Sequence, residues 1–254
     1  MLIDSHCHLP KEHQFVEGIL SRAQAENVGK LICIGTESAE NVTAIELANK
    51  YSEIYAVIGI FPQSEIHTDI NDLTKLLEKQ LTLSTSIVGI GECGMDIVDE
   101  MKRSEDAQVE LFEMQILLAI KHKLPIVIHN RNGNEHVRKL IKKYMGQLYG
   151  VAHCFDGDWE LAKAYLDCGF YISFSGFVTF KSKNYLLDSV NKVPIDRILI
   201  ETDSPYIVPK NIKEKQNEPK NVRIVAQKIA DVRQISINEV EESTYHNTCR
   251  LFKL

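Results

Sequence analysis

The chain has 254 residues, of which 44% are hydrophobic and 25% are charged, an ordinary composition for a globular protein. Its net charge of −6 excludes a general basic surface for gripping duplex DNA, so any contact with nucleic acid has to be local. No apolar run approaches the roughly 20 residues of a membrane span, and no secretory leader is recognised. The six cysteines form no Cys-x-x-Cys pair. We therefore expect a cytoplasmic protein with reduced thiols and no membrane partner.

Short apolar segments alternate with amphipathic segments along the whole chain. The apolar segments are rich in Val, Ile and Leu, which is typical of parallel strands that are buried on both faces. They predict strands over residues 2–5, 30–34, 56–60, 87–91, 125–128, 150–152, 170–173 and 197–200. Between them, apolar residues recur at three- and four-residue spacing, which predicts helices over 12–27, 38–50, 69–80, 105–121, 135–145, 158–166 and 181–190.

Eight strands alternating with helices predict an α/β protein with a (β/α)8 TIM barrel that occupies residues 1–254 as a single domain. An open doubly wound sheet is the alternative, but no Gly-x-Gly-x-x-Gly turn follows the first strand. After the eighth strand, residues 205–221 are polar and interrupted and are predicted to be a loop. C-terminal helices are predicted over 222–232 and 237–252, the second capped by Ser236.

Histidines and carboxylates follow five of the predicted strands, at the ends where such barrels place their active sites. A single His after an apolar run is more often just the polar end of a strand, and a single carboxylate is more often a turn or cap residue. Six such residues at corresponding places argue for a shared role, because buried charges need partners or a metal. They are His6 and His8 after the first strand, Glu92 after the fourth, His129 after the fifth, His153 after the sixth and Asp203 after the eighth.

This ligand set predicts a metal centre. Four imidazoles and two carboxylates exceed the roughly three protein ligands of one catalytic zinc. They suit two divalent cations about 3.5–4 Å apart with one bridging carboxylate. Nitrogen and oxygen donors without thiolate favour Zn²⁺, Mn²⁺ or Mg²⁺ over Ca²⁺. The neighbouring Cys93 and Cys154 are expected to turn outward toward the helices by strand alternation.

With these ligands at the strand ends, the chain resembles the TatD family of metal-dependent deoxyribonucleases over nearly its whole length. This family is a branch of the amidohydrolase-like barrels. The resemblance implies that Glu92 bridges two ions, one held by His6, His8 and Asp203 and the other by His129 and His153. Related enzymes bridge with a carboxylated lysine on the fourth strand, but residues 81–96 contain no lysine. The motifs that carry the resemblance are Asp4-Ser5-His6-Cys7-His8, Gly91-Glu92-Cys93-Gly94-Met95-Asp96, Pro125-Ile126-Val127-Ile128-His129-Asn130-Arg131, His153-Cys154-Phe155-Asp156-Gly157, Gly169-Phe170-Tyr171-Ile172-Ser173, Glu201-Thr202-Asp203-Ser204-Pro205 and Asn217-Glu218-Pro219.

Three motifs depart from the family pattern. The usual Gly-x-His-Pro-His reads Gly59-Ile60-Phe61-Pro62-Gln63, so both histidines are missing, and the resemblance implies that the first of them binds substrate phosphate. The usual Leu-Asp-Tyr reads Met95-Asp96-Ile97, and Gln216 stands where an arginine precedes Asn-Glu-Pro. These changes keep the metal ligands and weaken the case for the family's typical substrate.

The leading hypothesis is hydrolysis of phosphodiester bonds by a two-metal-activated water, as in a 3′–5′ exodeoxyribonuclease acting on a DNA 3′ end. Asp203 would accept the water proton beside bridging Glu92, and Arg131, Gln63 and Phe61 are the expected substrate contacts. Arg131 is equally well explained as a surface arginine, and Lys210, Lys213, Lys215 and Lys220 either attract nucleic acid or form a solvated loop. One alternative is a hydrolase of the same bimetal class acting on another phosphoester, ester or amide. Another is a non-catalytic metal-binding scaffold. No obligate protein partner is predicted.

Overall fold

A computed structural model describes residues 1–210 and 212–254, so residue 211 of the predicted loop 205–221 lies outside the described part. Eight parallel strands lie side by side in chain order and form a single-domain (β/α)8 barrel, which confirms the predicted fold class. The strands are β1 (Leu2–Cys7), β2 (Val28–Ile34), β3 (Ile54–Ile58), β4 (Ile87–Asp96), β5 (Ile126–Arg131), β6 (Gly150–Ala152), β7 (Tyr171–Phe174) and β8 (Ile198–Ile200).

The barrel closes between β1 and the segment that follows β8. The backbone N–H of Asp203 donates to the carbonyl of His6 at 2.9 Å, and the N–H of His8 donates to the carbonyl of Ser204 at 2.7 Å. These two bonds link the end of β1, at His6 and His8, to Asp203 and Ser204 after β8, and we call this junction the seam. They bring the end of the first strand and the end of the last strand to one place on the rim.

A buried carboxylate reinforces the same seam. Asp4 is fully buried, and its side chain accepts hydrogen bonds from the N–H of Thr202 at 2.9 Å and from the Thr202 hydroxyl. Burial raises the pKa of Asp4 to about 8, although the bonds from Thr202 act in the opposite direction. Because the carboxylate joins residues 198 positions apart in sequence, it ties the two edge strands together.

The inside of the barrel is filled by one apolar layer. Strand residues that alternate toward the axis, such as Ile3, Val57 and Val127, form a buried cluster with Leu251 and Phe252 from the last helix. A Cβ added to Gly89 would lie 3.4 Å from the Phe252 ring, so the helix end reaches the strands themselves. The last helix therefore covers the amino-terminal end of the barrel, and the carboxyl-terminal end stays open.

Nine helices cover the described part of the chain. They are α1 (His13–Ala25), α2 (Ser38–Lys50), α3 (Ile70–Leu81), α4 (Glu105–His122), α5 (Asn134–Lys143), α6 (Trp159–Asp167), α7 (Leu186–Lys192), α8 (Val222–Arg233) and α9 (Ile237–Phe252). Ser236 caps α9 as predicted, since its hydroxyl accepts from the N–H of Glu239 at 3.2 Å. Within residues 1–210 and 212–254, none of these helices combines the length and the apolar character that crossing a membrane requires.

The seventh helix begins later than predicted. Residues 181–190 were expected to be helical, but α7 begins at Leu186 and two short 3₁₀ turns, Gly176–Thr179 and Lys181–Lys183, precede it. The Thr179 hydroxyl donates to the carbonyl of Gly176 at 2.7 Å within the first turn. Inside the predicted helix, Lys183 and Tyr185 both bond to Asp156 on the loop after β6, a contact between distant segments that apolar spacing does not reveal.

Strand β4 extends through Asp96, further than predicted, and two glycines make this path possible. Gly91 has φ +139°, and a Cβ there would lie 2.5 Å from the carbonyl oxygen of Val127. Gly94 has φ +140°, and its Cβ would lie 2.0 Å from the carbonyl oxygen of His129. Only glycine fits both the backbone angle and the close approach of β5. Glu92 is therefore presented from inside a continuous strand rather than from a turn.

Candidate metal centre

A cavity of about 670 Å³ opens at the carboxyl-terminal ends of the strands. Its size lies within the usual range for small-ligand sites. Most of the predicted site residues line it, while His6 is fully buried beneath and Gln63 is not part of the lining. The predicted residues that line the cavity are His8, Phe61, Glu92, His129, Arg131, His153 and Asp203.

The Glu92 carboxylate lies at the centre of four imidazoles. Its Oε2 lies 3.3 Å from His6 Nε2 and 3.8 Å from His8 Nε2. Its Oε1 lies 2.8 Å from His129 Nδ1 and 2.9 Å from His153 Nε2. Each oxygen of one carboxylate therefore faces a different pair of histidines.

Asp203 completes the first of these pairs. Its Oδ1 lies 3.7 Å from His6 Nε2 and 3.6 Å from His8 Nε2. The donor atoms of His6, His8 and Asp203 all lie within 4.8 Å of one another. The donor atoms of Glu92, His129 and His153 meet the same limit. A third group, of His6, His153 and Glu201, meets it as well. The sequence resemblance implies the first two groups, with Glu92 shared between them.

The fully buried His6 ring tests whether these groups suit a metal. Neither of its nitrogens forms a hydrogen bond of acceptable geometry among the described residues, although Nε2 lies 3.3 Å from Glu92 Oε2. Its ring stacks on that of His153, with centroids 3.9 Å apart. A buried polar group without a partner is costly, whereas imidazole nitrogen is a common metal ligand. The donor set of nitrogen and carboxylate oxygen therefore fits a divalent cation of the Zn²⁺ or Mn²⁺ type.

Opposite charges govern the ionisation of the site. Burial alone would raise the pKa of Glu92, but His153, His129 and His6 hold it well below its ordinary value. Burial would lower the pKa of His153, but Glu92 and Glu201 raise it well above its ordinary value. The pKa of His6 is lowered, first by burial and then by the neighbouring His153. Glu92 is thus an anion that is ready to neutralise cations.

Two further carboxylates, which the sequence analysis missed, orient the histidines. Asp96 Oδ1 lies 3.1 Å from His129 Nε2, and Glu201 Oε1 lies 3.2 Å from His153 Nδ1. Each bond occupies the ring nitrogen that points away from Glu92, leaving the other nitrogen for a metal. Glu201 precedes Asp203 by two residues, a spacing that signals a shared face. Asp96 gave no such signal, because β4 was expected to end earlier.

Glu201→Gln is expected to bind Zn²⁺ about tenfold more weakly than the wild type. The amide keeps one acceptor, but it removes the charge beside the His153 ring, and outer carboxylates typically contribute 10–100-fold to metal affinity. A competition titration against a chromophoric chelator measures the change. Glu242→Gln on the exposed face of α9 is the matched control. Equal zinc affinity of both variants would show that Glu201 does not orient the ligand.

The three predicted substrate contacts have different surroundings. The Phe61 ring meets the His129 ring edge-on, with centroids 4.8 Å apart, and forms an apolar wall. Arg131 is exposed at the rim. Gln63 instead hydrogen-bonds to backbone groups of neighbouring segments. Its Nε2 donates to the carbonyl of Asp96 at 2.6 Å, and its Oε1 accepts from the N–H of Arg103 at 3.0 Å. Both ends of the Gln63 amide are therefore occupied by backbone groups rather than turned toward the cavity.

The cysteine prediction was half correct. Cys93 is fully buried in the apolar layer outside the barrel, as expected. Cys154 instead lines the cavity, with its Sγ 3.2 Å from Ser175 Oγ. Strand β6 ends at Ala152 and Cys154 has φ +43°, so strand alternation no longer applies there. Tyr206, Phe177 and Lys183 also line the cavity and were not singled out from the sequence.

Several known proteins are similar to this chain over its whole length. A profile of the family described as "TatD related DNase" matches residues 3–253. The chain is 37% identical to the "uncharacterized metal-dependent hydrolase YabD" of Bacillus subtilis, with all of both chains covered. It is 32% identical to YcfH of Escherichia coli, with 100% of this chain and 96% of that protein covered. The crystal structure of the TatD homologue YjjV from E. coli superposes with a TM-score of 0.90 at 26% identity, covering 100% of this chain and 98% of that one.

Proposed function

This chain belongs to the TatD family of metal-dependent hydrolases, and we propose that it hydrolyses phosphodiester bonds at the 3′ end of DNA with two divalent ions. The family description, a TatD-related DNase, supports the choice of substrate. The placement of Glu92 carries the two-ion part of the proposal. One oxygen faces His6 and His8 and the other faces His129 and His153, which suits a carboxylate that bridges two cations.

Six residues would hold the ions. We assign His6, His8 and Asp203 to one ion, His129 and His153 to the other, and Glu92 to both. Divalent ions bound in these positions would supply Lewis acidity to the phosphoryl oxygens and lower the pKa of water toward neutrality. The chain contributes the fixed geometry, because Asp96 and Glu201 hold two of the imidazole rings in place.

Asp203 is the proton acceptor in this proposal. Its carboxylate stands at the edge of the ligand set and lines the cavity, with 13% of its side chain exposed. A water attacks phosphorus, forms the new P–O bond and gives its proton to Asp203. The bond from phosphorus to the 3′ oxygen of the preceding nucleotide breaks, and that oxygen takes up a proton from solvent water. The products are a mononucleotide and a shortened strand.

Arg131 supplies positive charge at the rim, where the phosphate would enter. Arg131 is exposed, and a guanidinium can hold a phosphate through two parallel hydrogen bonds. Lys183 pairs with Asp156, and both residues line the cavity. Phe61, Phe177 and Tyr206 form the apolar part of the wall, which suits the faces of a sugar and a base.

A substrate panel tests the proposal. We expect mononucleotide release from 3′-labelled single-stranded DNA in the presence of zinc, manganese or magnesium. An aryl phosphate monoester, an aryl phosphate diester and simple amides serve as comparison substrates. Turnover of DNA should exceed turnover of the monoester and the amides with the preferred metal. If DNA is not turned over with any of the three metals, the proposed nuclease activity is refuted.

Phe61 supports one alternative, a hydrolase of the same bimetal class that acts on a more apolar phosphoester, ester or amide. Its ring covers His129 where relatives of this family usually carry a phosphate-binding imidazole. If DNA is the substrate, Phe61→His should raise kcat/KM on DNA about tenfold, the value of one added charged hydrogen bond. Phe61→Leu is the control, since it keeps the wall apolar. A fall in DNA turnover with Phe61→His would favour the alternative. The other alternative, a non-catalytic scaffold, has no support in a family of hydrolases.

A further inference from the structure

Acidic and basic side chains are distributed unevenly around the rim of the cavity. On one side, the exposed carboxylates Glu37 and Glu40 lie just before α2 and in its first turn, and Glu40 lines the cavity. Three strands away around the barrel, past β1 and β8, the 3₁₀ turns that follow β7 carry Lys181 and Lys183. Lys210, on the loop after β8, lies beside the same turns, because its N–H donates to the Thr179 hydroxyl at 2.9 Å. A polyanion is repelled by the first side and attracted by the second.

Aromatic rings and lysines are interleaved on the basic side. Lys183 Nζ lies 4.9 Å from the centroid of the Phe177 ring, and Lys210 Nζ lies 4.7 Å from that of Phe180. The rings of Phe177 and Phe180 meet edge-on, with centroids 5.5 Å apart. Tyr185 is 47% exposed, with Lys183 Nζ 5.8 Å from its ring. We call this surface the ridge; it comprises Phe177, Phe180, Lys181, Lys183, Tyr185 and Lys210.

The ridge is continuous with the cavity and keeps free positive charge. Phe177 and Lys183 belong to both. Asp156 pairs with Lys183 and accepts from the Tyr185 hydroxyl, so one lysine is neutralised. Lys181 and Lys210 have no ion-pair partner within 4.0 Å among residues 1–210 and 212–254. In a chain with a net charge of −6, this concentration of lysine at the cavity mouth is local.

We propose that the ridge binds the single-stranded DNA that extends from the cavity, on the side away from Glu40. The inference rests on the proposed nuclease function and adds a surface outside the metal centre. Sites for single strands combine cations along the backbone with rings on which successive bases stack. Bases in a duplex stack on each other instead. The ridge therefore prefers single-stranded over double-stranded DNA.

Binding without turnover tests the ridge directly. The probe is a 5′-fluorescein single-stranded DNA of about 12 nucleotides, a length within the usual range for such sites, measured by fluorescence anisotropy in EDTA. Lys181→Ala/Tyr185→Ala/Lys210→Ala should weaken binding about tenfold. The slope of log Kd against log salt should fall by about 1.4, because each lysine lost removes about 0.7 for single strands.

A charge-matched control lies at the other end of the barrel. Lys30 and Lys253 also lie over rings, those of Tyr55 and Tyr149, but at the amino-terminal ends of the strands. Lys30→Ala/Lys253→Ala removes the same charge and should leave the affinity within twofold of the wild type. If the triple variant does not fold, Lys210→Glu alone replaces it and should weaken binding at least threefold.

The outcomes separate the ridge from the nuclease. If the wild type cleaves DNA and the ridge variant binds the strand normally, the proposed role of the ridge is refuted and the proposed nuclease function stands. Ridge-dependent binding without cleavage in any metal would support the ridge and refute the nuclease. Three results would each refute the proposed role of the ridge in DNA binding. They are an equal loss of affinity in the control variant, equal binding of a duplex of the same length, and no binding by the wild type.

Discussion

Glu92→Gln is expected to lose bound metal and at least ~10³-fold of its hydrolytic rate, because the variant removes the one carboxylate that faces all four histidines. A neutral amide cannot balance the positive charge of two cations held close together. Outer carboxylates already contribute 10–100-fold to metal affinity, so loss of a direct ligand has to cost more. Elemental analysis of the purified protein measures the metal, and the substrate panel measures the rate.

Glu242→Gln is again the control, since it makes the same chemical change on the exposed face of α9. It should keep both the metal content and the rate of the wild type. A thermal melt of each variant separates loss of metal from loss of the fold. Glu92→Gln protein that is folded and still binds two ions would contradict the bridging role.

Asp203→Asn is expected to lower kcat by about 10³-fold and to retain the ion held by Glu92, His129 and His153. Removal of a general base typically costs 10²–10⁴-fold. Asp203 has φ +53°, a left-handed conformation that asparagine also tolerates, so the backbone should not change. Single-turnover measurements on labelled DNA isolate the chemical step. Elemental analysis counts the remaining ions.

Asp196→Asn provides the comparison, because Asp196 is exposed in the turn that precedes β8, at the opposite end of the strand. It should behave as wild type in both measurements. An Asp203→Asn enzyme with near-normal single-turnover rate would remove Asp203 from the proton-transfer step. Loss of both ions in this variant would show that the two ligand groups depend on each other.

The residues that point into the cavity were predictable where they follow a short buried strand. His129 and His153 were found in this way, since a strand buried on both faces ends visibly in sequence and barrels place ligands at that end. Glu92 was found as well, although β4 continues past it. Its flanking glycines were typical of a turn, but Gly91 and Gly94 instead allow the close approach of β5 within a continuous strand.

Other features depended on contacts between distant segments. Asp96 reaches His129 only because β4 runs to residue 96, and Gln63 is held by the backbone of Arg103, 40 residues away in sequence. Cys154 faces the cavity because its backbone departs from the strand. Periodicity describes one segment at a time, and these three positions are set by the partner segment. The ridge is a further case, since it joins the turns after β7 to Lys210.

The seam between β1 and the segment after β8 also has a consequence for biosynthesis. Asp4 bonds Thr202, 198 positions later, and the same seam brings His6 beside Asp203. A nascent chain on the ribosome holds the first histidines long before it holds their last partner. The six proposed metal ligands therefore come together only when the eighth strand has emerged and docked against the first.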